Sequence, residues 1–209
     1  MRAIKVVDYD PSWPRLFAEI RGEVAASLGS LALSIDHIGS TSVPGLAAKP
    51  KIDLDVVAIS DDVLPMAIDA ISAADFVFHG DRGEKRWAFT RDHDGYGFRL
   101  YLCGPANHAH RERLLFRDYL RDHPGRATAY AGLKRRLAME AHGDSDFYTG
   151  GKTEFVNETL RLAKLAWDRS AAALLRLRSV AIAPPGNDLA LADMIGRADQ
   201  AFLFHAFDQ

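Results

Sequence analysis

The sequence predicts an α+β protein, mixed α/β in its first half, in which a mixed β-sheet is covered by helices and the C-terminal half is helical. Three observations carry this expectation. Between Leu33 and Cys103, short β-branched and apolar runs alternate with turn signals. From His110 to Arg176, apolar residues recur at helical spacing. With 209 residues and 48% hydrophobic content, the chain can bury one core of ordinary size and still carry an appendage.

Taken in order, Ile4, Val6 and Val7 suggest a short edge strand. Trp13, Leu16, Phe17, Ile20, Val24 and Leu28 follow the period of a helix, with Ser12 as its cap, Pro14 in its first turn and Gly29 as its stop. Leu33–Ile38 reads as a strand, 39–51 as a Gly-, Ser- and Pro-rich loop, and Ile52–Ile59 as a strong strand. Asp61 and Asp62 suit a helix N-terminus, and Val63 to Ala74 continue that helix. Strands are expected at Phe76–His79, Arg86–Arg91 and Gly97–Cys103, separated by Gly80-Asp81 and Asp94-Gly95. Helices are expected at Arg111–Asp122, Arg126–His142 and Thr153–Arg176, divided by Pro124-Gly125 and Gly150-Gly151. Residues 1–170 then form one domain. Residues 171–209, with the break Pro184-Pro185-Gly186 and an aromatic end, form an extension packed on it or used in a contact.

A formal net charge of −2 gives no global basic field, so a long nucleic acid is not an expected partner. The stretch 82–136 is locally basic, with 13 Lys and Arg against six acids, and a solvated helix face explains most of them. No run approaches the ~20 apolar residues of a membrane span, and Met1–Lys5 lacks a signal-peptide core. The single Cys103, at an apolar strand end, reads as a buried inert thiol. The expected location is the cytoplasm, and self-association into a homo-oligomer is left open.

The most informative segment runs from His37 to Asp55. Asp53 and Asp55 fall on one side of a strand, ~6.6 Å apart along it. Two carboxylates among Ile and Val repel one another and are costly to desolvate, and a bound divalent cation such as Mg²⁺ would relieve both penalties. The plainer explanation is a solvated sheet face. Upstream, Gly39 allows close backbone approach, while Ser40, Thr41 and Ser42 offer hydroxyls and amides to phosphate oxygens. Here the plainer explanation is a polar surface turn.

The run His37-Ile38-Gly39-Ser40-Thr41-Ser42-Val43-Pro44-Gly45-Leu46-Ala47-Ala48-Lys49-Pro50, followed by Ile52-Asp53, resembles the signature of the GrpB family. That family is classed with the polymerase-beta-like nucleotidyltransferases, and the resemblance covers roughly residues 4–168. It implies a nucleotidyltransferase-like fold in which Gly39 and Ser40 hold nucleotide phosphates. Asp53 and Asp55 would act as catalytic residues and Mg²⁺ ligands. The implied reaction transfers a nucleoside monophosphate from NTP to a small-molecule acceptor. This sequence departs from the pattern at Phe98–Leu102, where a third carboxylate or a His-x-His pair is expected and Arg99 and Tyr101 stand instead. The departure keeps a non-catalytic nucleotide- or phosphometabolite-binding module in view. Family members fused to dephospho-coenzyme A kinase, with the aromatic C-terminus, suggest a structural or chaperone-like partner domain.

Further phosphate candidates are His37, Lys49, Arg86, Arg99, Arg113, Arg117 and Lys152. Arg113 and Arg117 lie one helical turn apart, and a guanidinium fork can bind two phosphate oxygens. Gly150-Gly151-Lys152-Thr153 ends like a P-loop but lacks its spacing and preceding strand. His108-x-His110 is the one histidine pair at ligand spacing, and a solvated loop explains it equally well.

Overall fold

The structure is a computed structural model that describes residues 3–93 and 96–180. Helix α1 (Trp13–Leu28) leads to β1 (Ala32–Ile38) and, through the Gly39 turn, to β2 (Lys51–Ala58). There follow α2 (Leu64–Ala73), β3 (Val77–Asp81), β4 (Arg86–His93) and β5 (Tyr96–Cys103). Helices α3 (His108–Asp122), α4 (Pro124–Glu140), α5 (Ser145–Gly150) and α6 (Thr153–Val180) complete the described chain. The strands form one sheet in the order β1-β2-β5-β4-β3. Only the central β2–β5 pair is parallel, so the sheet is mixed as expected.

Strand alternation decides what each face of this sheet does. On β2, Ile52, Leu54, Val56 and Ala58 are buried; on β5, so are Phe98, Leu100 and Leu102. They pack with Trp13, Ile20, Val24 and Leu28 of α1 and Leu64, Ala67 and Ile71 of α2. Each large side chain in this core contributes about 1.5–3 kcal/mol by leaving water. The same alternation sends Asp53, Asp55, Arg99 and Tyr101 to the opposite face, with Asp53 level with Arg99 and Asp55 level with Tyr101.

Several local expectations shift. Ile4 and Val6 do not join the sheet, because they pack beside Leu137, Ala141 and Tyr148; only Val7 bridges to Ala48, with both backbone bonds at 2.9 Å. Ser12 makes no side-chain cap, since its backbone is already helical (φ −77, ψ −19); Asp10 Oδ1 instead accepts from Ser12 N at 2.8 Å. Gly29, at φ 53, does end α1, its N–H bonding to Ala25 O. Helix α5 was not anticipated; Asp144 caps it by accepting from Asp146 N and Phe147 N. The turn at Asp94-Gly95 and the whole stretch 181–209 lie outside the described residues. The chain divides into one compact unit ending at Leu160 and another beginning at Arg161.

Candidate functional site

The turn after β1 is built by its own polar groups. Gly39 adopts φ 72, ψ −173, a conformation essentially reserved for glycine. A Cβ there would lie 2.6 Å from Asp53 Oδ2, so glycine also lets the backbone touch the carboxylate. Ser42 Oγ donates to Gly39 O at 2.6 Å, and Thr41 Oγ1 donates to Lys51 O at 3.1 Å. His37 Nε2 meets Thr41 Oγ1 at 3.1 Å, and its ring stacks on Phe17. Burial, followed by Arg121 and Arg117, pushes the His37 imidazole down to about 4, so it is neutral at pH 7. Arg117 Nη1 donates to His37 O at 3.0 Å, and Arg121 grips Ser42 O through Nε and Nη2 at 3.1 and 2.7 Å. The side chains of His37, Thr41, Ser42 and Arg117 therefore hold the turn in shape, while Gly39 lies at the cavity edge.

The two strand acids have different environments. Asp53 is half-buried beside Gly39; burial pushes its carboxyl up, opposed by Arg99 and Lys51. Asp55 is fully buried. Its Oδ2 accepts from Arg113 Nε at 2.8 Å and from His110 Nδ1 at 2.9 Å. His110 Nε2 lies 3.7 Å from Asp36 Oδ2, so the imidazole bridges two acids on neighbouring strands. Asp55 Oδ1 has no partner among the described residues.

A cavity of about 400 Å³ opens beside Asp53 and Gly39, walled by Arg86, Arg99, Tyr101, Arg113 and Phe116. The Arg86 and Arg113 guanidinium carbons lie 4.8 and 5.0 Å from the Tyr101 ring centroid. Arg86 Nε and Arg113 Nη2 are buried donors without an acceptor among the described residues. Lys49 and Lys152 stand elsewhere, their ammonium groups 4.0 and 4.5 Å from the Tyr148 ring centroid. Asp53 and Asp55 Oδ1 leave carboxylate oxygens for one Mg²⁺, which commonly uses one or two carboxylates with substrate phosphates. The level positions on β5 are Arg99 and Tyr101, so a second ion gains no ligand there.

In the sequence, His110 reads only as a metal-spacing partner of His108 and Lys134 only as one charge of the basic stretch, and the structure gives both other places. His110 had a signal: Asn107 caps α3 by accepting from His110 N at 3.0 Å, which sets the imidazole in the first turn against Asp55. Lys134 is buried under the loop before β2, donating to Ala47 O, and nothing in its helical surroundings distinguished it.

Fold and cleft together define an α+β protein with an arginine-walled cavity at a glycine turn over a mixed sheet. The chain belongs to the GrpB family, whose model, described as GrpB protein, matches residues 3–162. The UPF0157 protein YqkA of Bacillus subtilis is 31% identical over 164 residues, covering 78% of this chain and 48% of that protein. A crystal structure of conserved protein GrpB from Enterococcus faecalis has 30% identity and a TM-score of 0.71, covering 78% of this chain and 99% of that one. A Mycolicibacterium paratuberculosis protein named dephospho-CoA kinase is 27% identical over 191 residues, covering 79% of this chain and 46% of that protein. The chain thus spans about half the length of the two curated relatives described here. No helix among the described residues is long and apolar enough to cross a membrane.

Proposed function

We propose that the cavity beside Gly39 binds a nucleotide or another phosphorylated small molecule by its phosphate oxygens, without catalysis. The carrying observation is a pair of buried donors without a partner among the described residues, Arg86 Nε and Arg113 Nη2, on side chains that wall one cavity. A buried donor left unsatisfied costs about 1–3 kcal/mol. A phosphoryl group offers only acceptors and a charge opposite to that of guanidinium. Asp55 then serves the arginine: its Oδ2 fixes Arg113 Nε and keeps the guanidinium over Tyr101. A relative named dephospho-CoA kinase suits a ligand in phosphorylated-coenzyme chemistry.

One observation favours a second reading, Mg²⁺-dependent transfer of a nucleoside monophosphate from NTP to a small acceptor. Asp55 Oδ1 is buried and unpartnered, and with Asp53 it would hold a single ion. The ion, when bound, would neutralise charge on the phosphates. Arg86, Arg99 and Arg113 would orient those phosphates from the cavity wall.

Thermal unfolding with each NTP, with Mg²⁺ or with EDTA, separates the readings. A ligand at 100 times its Kd adds about 2.7 kcal/mol of stability. Stabilisation that survives EDTA and is lost in Arg86→Met supports metal-free binding. Stabilisation that needs Mg²⁺ and is lost in Asp53→Asn supports transfer. No stabilisation by any NTP removes both.

A further inference from the structure

The acid beside Gly39 is surrounded by more positive charge than it can neutralise. Asp53 interacts electrostatically with Arg99, Lys51, Arg113, Lys49 and Lys152, so five cations surround Asp53 and its neighbour Asp55. Two of these ammonium groups, Lys49 and Lys152, stand on a single ring, that of Tyr148, and neither forms an ion pair among the described residues. Both are partly buried. Burial depresses both lysines, and each is depressed further by Arg99 and by the nearby lysines. Lys152 precedes Val156 by one helical turn, with Val156 N donating to Lys152 O at 3.0 Å, and Val156 lines the arginine cavity. Arg99 and Asp53 also line it, and both interact with each of the two lysines.

We infer that the ligand carries at least two linked phosphoryl groups, a di- or triphosphate, with one phosphoryl group among Arg86, Arg99 and Arg113 and the next against Lys49 and Lys152. This rests on the phosphate-binding reading above and adds the number of phosphates. A monophosphate would satisfy the orphaned guanidinium donors and leave the lysine pair as it is, two like charges held on one ring at a cost. A linked second phosphate supplies the missing negative charge without a metal. The aromatic ring suits both states, because its face attracts ammonium groups when no anion is present.

The test is calorimetric titration of orthophosphate, pyrophosphate and tripolyphosphate without divalent cations, on the wild-type chain and on Lys49→Met/Lys152→Met. The wild type is expected to prefer tripolyphosphate to orthophosphate by about tenfold or more, equivalent to about 1.4 kcal/mol. The double variant is expected to lose that preference and keep its orthophosphate affinity. Lys152→Arg is expected to retain the preference, since it keeps the charge. Should the double variant not fold, Lys152→Gln carries the same comparison. Equal wild-type affinity for the three anions, or a preference that survives both lysine substitutions, overturns the inference. If orthophosphate binding persists and depends on Arg86 while the lysines are silent, only this inference falls. If none of the three anions binds, the phosphate-binding reading falls with it.

Discussion

Arg113 Nε donates to Asp55 Oδ2 at 2.8 Å, tying the first turns of α3 to the middle of β2. His110 Nδ1 approaches the same oxygen at 2.9 Å, so one carboxylate oxygen anchors two side chains of one helix. The two acids two residues apart on β2 therefore do different work: Asp55 supports structure, while Asp53 faces the cavity.

Opposite stability effects follow for the two conservative substitutions. Asp55→Asn leaves Arg113 and His110 facing a neutral amide in a buried site, and removing one partner of such a pair costs about 3–5 kcal/mol. Asp53→Asn removes a carboxylate whose ionised form burial already disfavours, so it is expected to be neutral or mildly stabilising. Urea unfolding of both variants checks this. Equal destabilisation would mean that Asp53 also anchors the fold.

Gly39→Ala combines two costs. A positive φ of 72 with extended ψ strains any L-residue by about 1–3 kcal/mol, and the new Cβ meets Asp53 Oδ2 at 2.6 Å. Adding Asp53→Ala removes the second cost and leaves the first. The double variant should recover part of the loss, measured as a coupling energy in a double-mutant cycle. Strict additivity would show that the backbone alone demands glycine.

Lys134 gives a pH dependence. Burial, then Lys152 and Arg135, brings its ammonium from 10.5 down to about 7. Between pH 7 and 10.5 the unfolded chain holds this proton and the folded chain releases it, so the unfolded state binds more protons and stability rises with pH. Below pH 7 both states are charged and the penalty is fully present. Wild-type stability should therefore climb from pH 6.5 to pH 9, and Lys134→Met should flatten the climb. Lys152, depressed to about 8, adds a slope of the same sign that remains in the variant. A Lys134→Met profile parallel to wild type in thermal unfolding would contradict the assignment.

The features legible in the sequence were those written as local period and local chemistry. Alternation along Ile52–Val56 fixed which β2 residues meet α1 and α2, and therefore put Asp53 and Asp55 on the other face. Gly39 was legible because only glycine tolerates both its backbone angles and its contact with Asp53. What was hidden depends on register and distance. That Asp55 is taken up by His110 and Arg113 depends on a helix 55 and 58 residues downstream. That Arg117 braces His37 O depends on contact across 80 residues. Hydroxyls that look available in Ser40-Thr41-Ser42 as a string are partly used inside the turn, because its buried carbonyls need donors.

Arg121 offers the last test, because its bond pair to Ser42 O leaves the arginine-walled cavity itself untouched. Nε at 3.1 Å and Nη2 at 2.7 Å give that carbonyl two donors across 79 residues, and no residue of the cavity wall is involved. Arg121→Ala strands the carbonyl of the buried Ser42, at about 1–3 kcal/mol in urea unfolding. Arg121→Lys retains charge and one donor without the planar fork, so it should recover only part of the loss. Amide exchange adds a readout that global stability does not supply. Ser42 N and Val43 N, bonded to Gly39 O and Ser40 O at 3.3 Å each, should lose protection before the β2 and β5 amides do. Phosphate affinity should fall with that local loosening, because the turn sets where Gly39 meets Asp53. If the turn amides stay as protected as in the wild type, Arg121 is not the brace, and the turn is held by Ser42 Oγ, Thr41 Oγ1, His37 and Arg117 without it.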